Sequence, residues 1–229
     1  MNEAKVISSE LNVISSESKD NLGTGVCRRR AVSSGACRVK RFFDFLVSIV
    51  GMVVFSPLFL VIYIAIKRED GGKVIFRQER VGYHGKPFIL YKFRSMAATS
   101  EADGKPALCK GENDKRLTHV GRFLREHHLD ELPQLWNVCK GDMSLVGPRP
   151  ERKFFIDKIM AVNPDYELLY QLRPGLFSSA TLYNGYTDTM EKMLVRLRMD
   201  LEYLYNHSLW IDAKIIFKTV FSILTGKKF

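Results

Sequence analysis

The longest uncharged segment of the chain runs from Phe45 to Ile66 and reads FLVSIVGMVVFSPLFLVIYIAI. Its 22 residues would form a straight helix of about 33 Å, which is enough to cross the hydrocarbon core of a bilayer. Ser56 and Pro57 interrupt the segment close to its midpoint. Proline inside a helix removes a backbone hydrogen bond, and hydrocarbon offers no water to the carbonyl left unpaired. The segment therefore predicts either a kinked transmembrane helix or a helix that turns back.

Basic residues lie on both sides of this apolar segment. They are Arg28, Arg29, Arg30, Arg38, Lys40 and Arg41 upstream, and Lys67, Arg68, Lys73, Arg77 and Arg80 downstream. Because Lys and Arg mark the cytoplasmic flanks of membrane segments, both ends are expected on the cytoplasmic side. Ser56 precedes a proline, which disfavours helical angles, and its hydroxyl can bond a carbonyl one turn earlier. We predict a re-entrant membrane helix over 37–68, bent at Ser56 and Pro57, with a Pro-kinked span as the alternative.

Charge and composition describe the rest of the chain. The formal net charge of +10 indicates an anionic partner, which could be nucleic acid, an acidic membrane surface or a phosphorylated substrate. Residues 1–36 are rich in Ser, Glu and Asn, and we predict that they form a flexible polar tail. The four cysteines have no C-x-x-C spacing and are interpreted as free thiols. Residues 69–229 are then expected to form a single mixed domain.

Local patterns predict several elements in that domain. Two short strands, Lys73–Arg77 and Phe88–Phe93, are expected around a glycine-containing turn. A helix is expected within residues 116–128, with Thr118 as its cap. The density of Gly, Pro and charge predicts a loop from Gly104 to Lys115.

The C-terminal segment from residue 208 reads SLWIDAKIIFKTVFSILTGKKF and is amphipathic. Lys214 and Lys218 lie four residues apart among large apolar side chains. Such a helix can lie in a membrane interface, with Lys and Trp at the level of the headgroups. The alternative is a terminal helix packed on the core of the domain.

The candidate site lies within residues 127–151, HHLDELPQLWNVCKGDMSLVGPRPE. Asp130 and Glu131 precede a predicted helix, where Asp130 would be its N-cap and Glu131 an acid of its first turn. In the alternative interpretation, the two are paired carboxylates that can hold a divalent cation near N–H groups that attract phosphate. Arg149 lies between two prolines, so its backbone has little freedom, and its planar guanidinium matches phosphate oxygens.

Three motifs occur in a characteristic order: RQERVGYHGKPFILYKFRSM at 77–96, LDELPQLWNVCKGDMSLVGPRP at 129–150 and RPG at 173–175. Together they resemble the bacterial sugar transferase family. These are monotopic phosphoglycosyl transferases that prime the assembly of surface polysaccharides and glycoprotein glycans. The resemblance covers roughly residues 38–229, and the chain is similar to the minimal form of the family, without additional membrane helices before the transferase domain.

The resemblance implies a reaction and roles for individual residues. A sugar-1-phosphate would pass from a UDP-sugar to polyprenol phosphate, releasing UMP, through a covalent phosphosugar-aspartate. Asp130 would be the nucleophile, and Glu131 would position it or help it to hold Mg²⁺, the implied cofactor. Arg149 and Lys92 match family residues near the phosphate and the active site, and Asp200 matches a late functional acid. A carboxylate needs no base to activate it at neutral pH, and phosphoryl transfer needs mainly alignment and charge stabilisation.

Simpler interpretations remain for the lesser residues. Lys92 and Arg94 alternate in a predicted strand and could both face solvent. Asp200 could pair with Arg196, four residues earlier on a helix. Asp142 could be a turn residue.

The expected fold class is helix-rich α+β, with a re-entrant membrane helix and a small cytosolic domain that carries interfacial amphipathic helices. The resemblance implies a bacterial inner-membrane protein whose catalytic domain faces the cytoplasm. Its expected partners are a UDP-sugar donor, polyprenol phosphate and the inner leaflet, with no nucleic acid and, by analogy alone, a homodimer. Residues Leu176–Gly185, LFSSATLYNG, depart from the family pattern. If that loop contacts the nucleotide sugar, the sugar preference differs from that of familiar members.

Two alternatives come from other functional classes. A basic nucleic-acid-binding protein would explain the charge but neither the apolar segment nor the ordered motifs, and no nucleic-acid-binding module is recognised. A membrane-tethered scaffold could keep the fold without activity, but the intact pair of Asp130 and Glu131 argues against it.

Overall fold

The structure is a computed structural model that describes residues 34–97, 114–184 and 189–225. Residues 1–33 of the predicted tail, and all of the predicted loop before residue 114, lie outside this range. The α-helices are α1 Ser34–Val54, α2 Ser56–Asp70, α3 His119–Glu126, α4 Gln134–Lys140, α5 Lys153–Val162, α6 Ser179–Asn184, α7 Met190–Asn206 and α8 Leu209–Leu224. Short 3₁₀ turns occur at Tyr83–Gly85, Leu129–Glu131 and Pro164–Gln171.

The strands form two small sheets, so the predicted helix-rich α+β class is confirmed. β1 Ile75–Val81 pairs antiparallel with β2 Pro87–Phe93. The second predicted strand is correct to within one residue, whereas the first begins later and continues to Val81. It continues because the turn is confined to the residues before Lys86, where Gly82 N donates to Lys86 O at 2.9 Å.

The second sheet was not predicted. β3 Ser144–Val146 pairs in parallel with β4 Gly175–Phe177. Each strand has only three residues, which is too few for an alternating pattern to show in the sequence. This sheet places the segment that follows β3, which contains Arg149, beside the RPG segment that leads into β4.

The apolar segment is broken at Phe55, which separates α1 from α2. The two helices meet at a bend of 60°. Ser56 Oγ donates to Val53 O at 2.7 Å, which confirms the predicted bond to a carbonyl one turn earlier. Val53 is four residues before Pro57, so the hydroxyl replaces the N–H that proline lacks. Ser56 is the first residue of α2, and the break therefore lies one residue before the predicted bend.

The length of these helices limits how they could cross a bilayer. Within the described ranges, no single helix is both long enough and apolar enough to do so. Cys37–Val54 and Ser56–Asp70 meet that requirement only when they are taken together as a bent pair.

Buried apolar side chains form three clusters in the described residues. The first joins α4, β3 and α8 and includes Val138, Leu145 and Ile215. The second lies between α5 and α7. The third packs Ile62 and Ile66 of α2 against β2 and α3. One side of α2 therefore packs against the core of the folded domain.

Polar side chains of α1 also bind the domain, namely those of Lys40, Arg41 and Asp44. Asp44 is only 4% exposed, and it accepts hydrogen bonds from Ser144 Oγ at 2.7 Å and Leu145 N at 3.1 Å. Arg41 donates to the carbonyl oxygens of Val138 and Cys139 at the end of α4. The first half of α1 is thereby fixed against β3 and α4.

Large apolar side chains remain exposed on the outer faces of α1, α2 and α8. The most exposed are Val53, Trp210 and Phe217, at 68%, 70% and 72%. The predicted C-terminal helix is α8, and one of its sides packs on the core of the domain, as the second alternative expects. Ile215 lies in the first cluster, whereas Trp210 and Phe217 are on the exposed side of the same helix.

Candidate active site

The acidic pair is placed by helix α3 and the turn that follows it. Thr118 caps α3 by accepting a hydrogen bond from Gly121 N at 2.9 Å, as predicted. Glu69 of α2 adds a second cap, since its Oε1 accepts from His119 N at 2.7 Å. The chain then turns through His128, whose φ of 54° is left-handed, into the 3₁₀ turn that carries Asp130 and Glu131. Contacts from α2 therefore fix where the site begins.

Glu131 is the centre of an ionic cluster. Its Oε1 accepts hydrogen bonds from Lys92 Nζ at 2.6 Å and from Arg149 Nη2 at 2.7 Å. Burial raises the pKa of Glu131, but Arg149 and Lys92 outweigh it and hold the pKa well below its ordinary value. Residues from β2, the 3₁₀ turn and the loop after β3 therefore meet at one carboxylate oxygen.

The solvent-facing interpretation of Lys92 and Arg94 is wrong. Lys92 binds Glu131, as described above. Arg94 is 9% exposed and pairs with Asp70 at the end of α2, with Nη1 2.6 Å from Oδ2. Each of the two side chains is covered by another element. The alternation of residues in the strand could not reveal this burial, because the residues that cover the two side chains come from distant parts of the chain.

Asp130 is buried next to Glu131, and the N-cap interpretation is wrong. Helix α4 begins at Gln134, and Pro133 stands at its N-cap position without a side-chain bond. Leu132 and Pro133 already have helical angles, so the N-cap position of α4 lies three residues after Asp130. Burial raises the pKa of Asp130 to about 6, against the opposing effect of Lys92. The carboxylate is therefore mainly ionised at neutral pH, yet more basic than an exposed aspartate.

Arg149 reaches this cluster from the loop between β3 and α5. Its charge interaction with Glu131 raises its pKa above the ordinary value, so the guanidinium stays protonated. The side chain remains 30% exposed. It can therefore contact an incoming anion while one of its nitrogens holds Glu131.

Asp200 belongs to a different polar group. It lies on α7, is 4% exposed and accepts a hydrogen bond from Ser178 Oγ at 3.1 Å. Burial raises its pKa to about 7. Arg196 forms its ion pair with Glu151 rather than with Asp200, and it acts on Asp200 only through its charge, which opposes the rise in the pKa. Of the sequence-predicted site residues, the structure thus joins Lys92, Glu131 and Arg149 directly, with Asp130 beside them.

A magnesium ion would find suitable donors in the acidic pair. Mg²⁺ is usually held by one or two carboxylates together with substrate phosphates. Among the residues that the structure describes, no group of three or more His, Cys, Asp or Glu side chains could hold a metal ion alone. An ion held by the carboxylates of Asp130 and Glu131 would take its remaining ligands from a substrate. Lys92 and Arg149 both contact Oε1 of Glu131, and neither of these bonds uses Oε2.

Asn137 is a supporting residue that the sequence interpretation missed. Its side chain is fully buried on α4, where Nδ2 donates to Ile89 O at 2.7 Å and Oδ1 accepts from Tyr91 N at 3.1 Å. These bonds tie α4 to the strand that carries Lys92. The available signal was a single amide within the otherwise apolar LWNVC, because a buried polar group requires partners.

Asp142 is more than the turn residue that was suggested. Its Oδ2 accepts a hydrogen bond from Asn137 Nδ2 at 3.1 Å and pairs with Lys140 at 2.9 Å. It therefore supports the amide that joins α4 to β2.

Comparison with known proteins finds the same family over most of the chain. Residues 35–226 match the family described as bacterial sugar transferase. The chain is 42% identical over 188 residues to the UDP-N-acetylgalactosamine-undecaprenyl-phosphate N-acetylgalactosaminephosphotransferase of Aeromonas hydrophila, covering 82% of this chain and 44% of that protein. It is 44% identical over 190 residues to a UDP-glucose:undecaprenyl-phosphate glucose-1-phosphate transferase of Klebsiella pneumoniae, covering 82% and 40%.

A third relative is nearer in length. It is the UDP-glucose:undecaprenyl-phosphate glucose-1-phosphate transferase of Caulobacter vibrioides, 43% identical over 188 residues, with 81% of this chain and 70% of that protein covered. The chain thus spans less than half the length of the first two relatives. Its own match extends from the start of the bent helix pair to the end of α8, and on that basis the chain belongs to the bacterial sugar transferase family.

Proposed function

We propose that this protein is a membrane-associated phosphoglycosyl transferase. It moves a sugar-1-phosphate from a UDP-sugar to undecaprenyl phosphate, releases UMP and begins the membrane stage of surface glycan synthesis. The observation that carries the proposal is the Glu131 carboxylate held by Lys92 and Arg149 beside the buried Asp130. The names of the relatives support the donor and acceptor classes.

In the first step, a carboxylate oxygen of Asp130 attacks the phosphorus that carries the sugar. The bond between this phosphorus and the oxygen bridging to the uridine-linked phosphate breaks, and UMP leaves with that oxygen and the electron pair. A mixed anhydride between Asp130 and the sugar phosphate remains. A pKa of about 6 supports this role, because the carboxylate is ionised at neutral pH without a general base.

In the second step, a phosphate oxygen of undecaprenyl phosphate attacks the same phosphorus. The bond between Asp130 and phosphorus breaks, the carboxylate is regenerated, and the sugar is left on undecaprenyl diphosphate. Neither step needs a net proton transfer from the protein. Division into two steps lets the soluble nucleotide leave before the lipid reacts.

The neighbouring charges supply alignment and electrostatic stabilisation, which dominate phosphoryl transfer. Lys92 and Arg149 face the oxygens of the transferred phosphate, and Glu131 keeps these two cations in register. Mg²⁺ held by Asp130 and Glu131 with the donor diphosphate would neutralise part of the diphosphate charge. Asp200 contributes through Ser178, because this hydrogen bond holds the start of the Leu176–Gly185 segment.

The bent pair α1 and α2 enters one leaflet of the bacterial inner membrane and leaves by the same face. Three features support this arrangement: the 60° bend, the basic flanks, and the exposed apolar side chains on both helices. The exposed side of α8 lies in the same interface, where Lys214 stands 5.2 Å from the Trp210 ring. The catalytic domain then faces the cytoplasm, at the level of the acceptor headgroup.

The test is a UMP-release assay with undecaprenyl phosphate, Mg²⁺ and UDP-linked glucose, galactose and N-acetylgalactosamine. We expect turnover with at least one donor, loss of turnover on chelation of Mg²⁺, and no turnover by Asp130→Asn. Omitting the acceptor should leave a sugar phosphate on residue 130, detected by mass spectrometry of the quenched protein. Asp157→Asn, which alters a carboxylate 57% exposed on α5, is the matched control. Wild-type rates in Asp130→Asn would overturn the nucleophile assignment.

A further inference from the structure

A second ionic cluster lies beside the loop that carries Arg149. Glu151 stands at its centre, only 9% exposed, and pairs with Arg80 of β1 through Nη1 and Oε2 at 3.0 Å. Its other oxygen pairs with Arg196 of α7, which is 6% exposed. One carboxylate therefore connects a strand, a helix and the loop, and none of these three side chains is used in the chemistry proposed above.

The main chain before Arg149 is fixed by the second sheet. Gly147 N donates to Phe177 O at 3.0 Å, and Gly175 N donates to Pro148 O at 2.8 Å. A Cβ built on Gly147 would lie 2.4 Å from Arg173 O, so the two segments approach too closely for any larger residue. The main chain is therefore held rigidly at the two residues that precede Arg149.

The main chain after Arg149 is fixed by β1. Val81 N donates to Glu151 O at 3.1 Å, and the Arg80 guanidinium donates to Pro150 O at 3.2 Å. Arg80 therefore binds both the side chain of Glu151 and the carbonyl of the residue next to Arg149. Burial lowers the pKa of Arg80 to about 10, while the charge of Glu151 opposes that decrease. This arginine depends on Glu151 for its charge partner.

Pro148 and Pro150 stiffen the loop that joins the Glu151 cluster to the Glu131 cluster. Pro150 restricts the backbone of Arg149 to extended angles, and the ring of Pro148 fixes its own φ. A displacement at either anchor therefore passes to the base of the Arg149 side chain rather than being absorbed by rotation next to it. The Nη2 of Arg149 lies 2.7 Å from Glu131, so a small displacement is enough to weaken that bond.

We infer that Glu151 is a positioning residue, which fixes the Arg149 guanidinium against Glu131 without itself touching the substrate. This inference rests on the proposed function, in which Arg149 faces the transferred phosphate. If Glu151 had a purely structural role, changing it would lower the stability of the protein, and the effect on kcat/KM would be the same with or without Arg149. The two roles can therefore be distinguished by whether the effect of changing Glu151 depends on Arg149.

The experiment is a double-mutant cycle on the full chain in lipid nanodiscs. Glu151→Gln is made in the natural sequence and in an Arg149→Lys background, which keeps the charge but loses the planar guanidinium. UMP release from the donor panel gives kcat/KM, and a thermal shift with UDP and Mg²⁺ reports binding without turnover. We expect Glu151→Gln to lower kcat/KM about tenfold in the natural sequence and less than about threefold in the Arg149→Lys background.

A milder variant covers the case in which Glu151→Gln does not fold, since it leaves two buried arginines without a carboxylate. Arg80→Lys keeps a charge partner for Glu151 but loses the geometry that also reaches Pro150 O. We expect it to fold and to show the same dependence on Arg149. With Arg149 present, each variant should show a smaller UDP-induced rise in melting temperature than the natural sequence does. In the Arg149→Lys background, neither variant should change that rise further.

Asp212→Asn is the matched control. Asp212 is a carboxylate 6% exposed that pairs with Lys40 of α1 at 2.5 Å and accepts from Tyr203 Oη of α7 at 2.5 Å, so neither of these two partners belongs to the Arg149 loop. It should lower the melting temperature with equal effects on kcat/KM in both backgrounds. Equal losses for Glu151→Gln or Arg80→Lys in the two backgrounds would overturn the inference and leave the proposed function intact. Absence of UMP release by the natural sequence would instead overturn the proposed function.

Discussion

The Arg149 guanidinium lies against the Glu131 carboxylate, with Nη2 2.7 Å from Oε1. The same oxygen also accepts a hydrogen bond from Lys92. Two cations are thus held at one edge of a carboxylate whose chain neighbour is the buried Asp130. This arrangement concentrates positive charge next to the carboxylate that we propose as the nucleophile, where it would stabilise the charge of a diphosphate.

Glu131→Gln should lower kcat/KM by about 100-fold, because the neutral amide holds the two cations less strongly than the carboxylate and they lose their alignment. The measurement is UMP release under the conditions described above. A rate within about twofold of the natural sequence would contradict the proposed role of this residue.

The same substitution should have a pH-dependent effect on stability. The folded-state pKa of Glu131 is depressed, so its ionised form stabilises the fold above the unfolded pKa. That stabilisation is lost as the pH falls through the lower folded-state pKa. Glu131→Gln should therefore be less stable than the natural sequence at pH 7, and denaturant titrations should show the difference narrowing on acidification.

Asp130→Asn should stabilise the protein while abolishing turnover. The folded-state pKa of about 6 lies above the ordinary value of 3.8, so burial of the ionised carboxylate costs stability at neutral pH. Removing the charge should raise the free energy of unfolding by on the order of 1–3 kcal/mol at pH 7.5. The gain should shrink as the pH falls below about 6 and vanish near 3.8. A gain that is constant across this range would contradict the assigned pKa.

Pro57→Ala should straighten the bent helix pair, because the restored N–H can bond Val53 O in place of the Ser56 hydroxyl. The test is labelling with a membrane-impermeant maleimide, using the exposed Cys37 on one flank and Arg68→Cys on the other, with the other cysteines changed to Ser. In the labelled protein that keeps Pro57, the cysteines on both flanks should react from the cytoplasmic face. In Pro57→Ala, we expect one of them to become protected. If the two flanks of the protein that keeps Pro57 are labelled from opposite faces, the segment crosses the membrane and the re-entrant arrangement is wrong.

Asp44→Ala should detach the first half of α1 from the domain. It leaves the buried hydroxyl of Ser144 and the N–H of Leu145 without their acceptor, which should cost about 2–4 kcal/mol in the free energy of unfolding. Chemical denaturation in detergent measures this cost. Asp157→Ala removes a mostly exposed ion pair with Lys153 and should cost less than about 1 kcal/mol. Equal costs would show that Asp44 is not an anchor.

Gly121→Ala should destabilise the domain by about 3 kcal/mol or more, because its Cβ would lie 2.0 Å from Ser95 O and neither backbone can yield easily. Gly71→Ala is the comparison. It has nothing within 4 Å, and its φ of +69° alone should cost about 1–2 kcal/mol. Thermal denaturation of both variants checks the order, and a smaller loss at Gly121 would contradict the close approach.

Local features were predictable because their partners lie within one helical turn. The Ser56 hydroxyl bonds a carbonyl three residues earlier, and Thr118 caps a helix that begins at the next residue. The second predicted strand of the antiparallel pair was correct to within one residue, since a glycine-containing turn and β-forming residues mark it. The short β3 and β4 could not be predicted, because their pairing depends on residues 31 positions apart, as in Ser144 and Gly175.

The features of the candidate site also divide into those that the sequence could predict and those that it could not. The sequence by itself determined that an acidic pair, an arginine between two prolines and a broken apolar segment occur in one chain, and in an order shared with one family. Only the tertiary structure decided that Lys92 and Arg149 meet at Glu131, across 39 and 18 residues, and that Asp130 is buried instead of capping α4. The physical reason is that ion pairs and raised pKa values come from burial and from the approach of distant elements, whereas caps and breaks come from hydrogen bonds between neighbours along the chain.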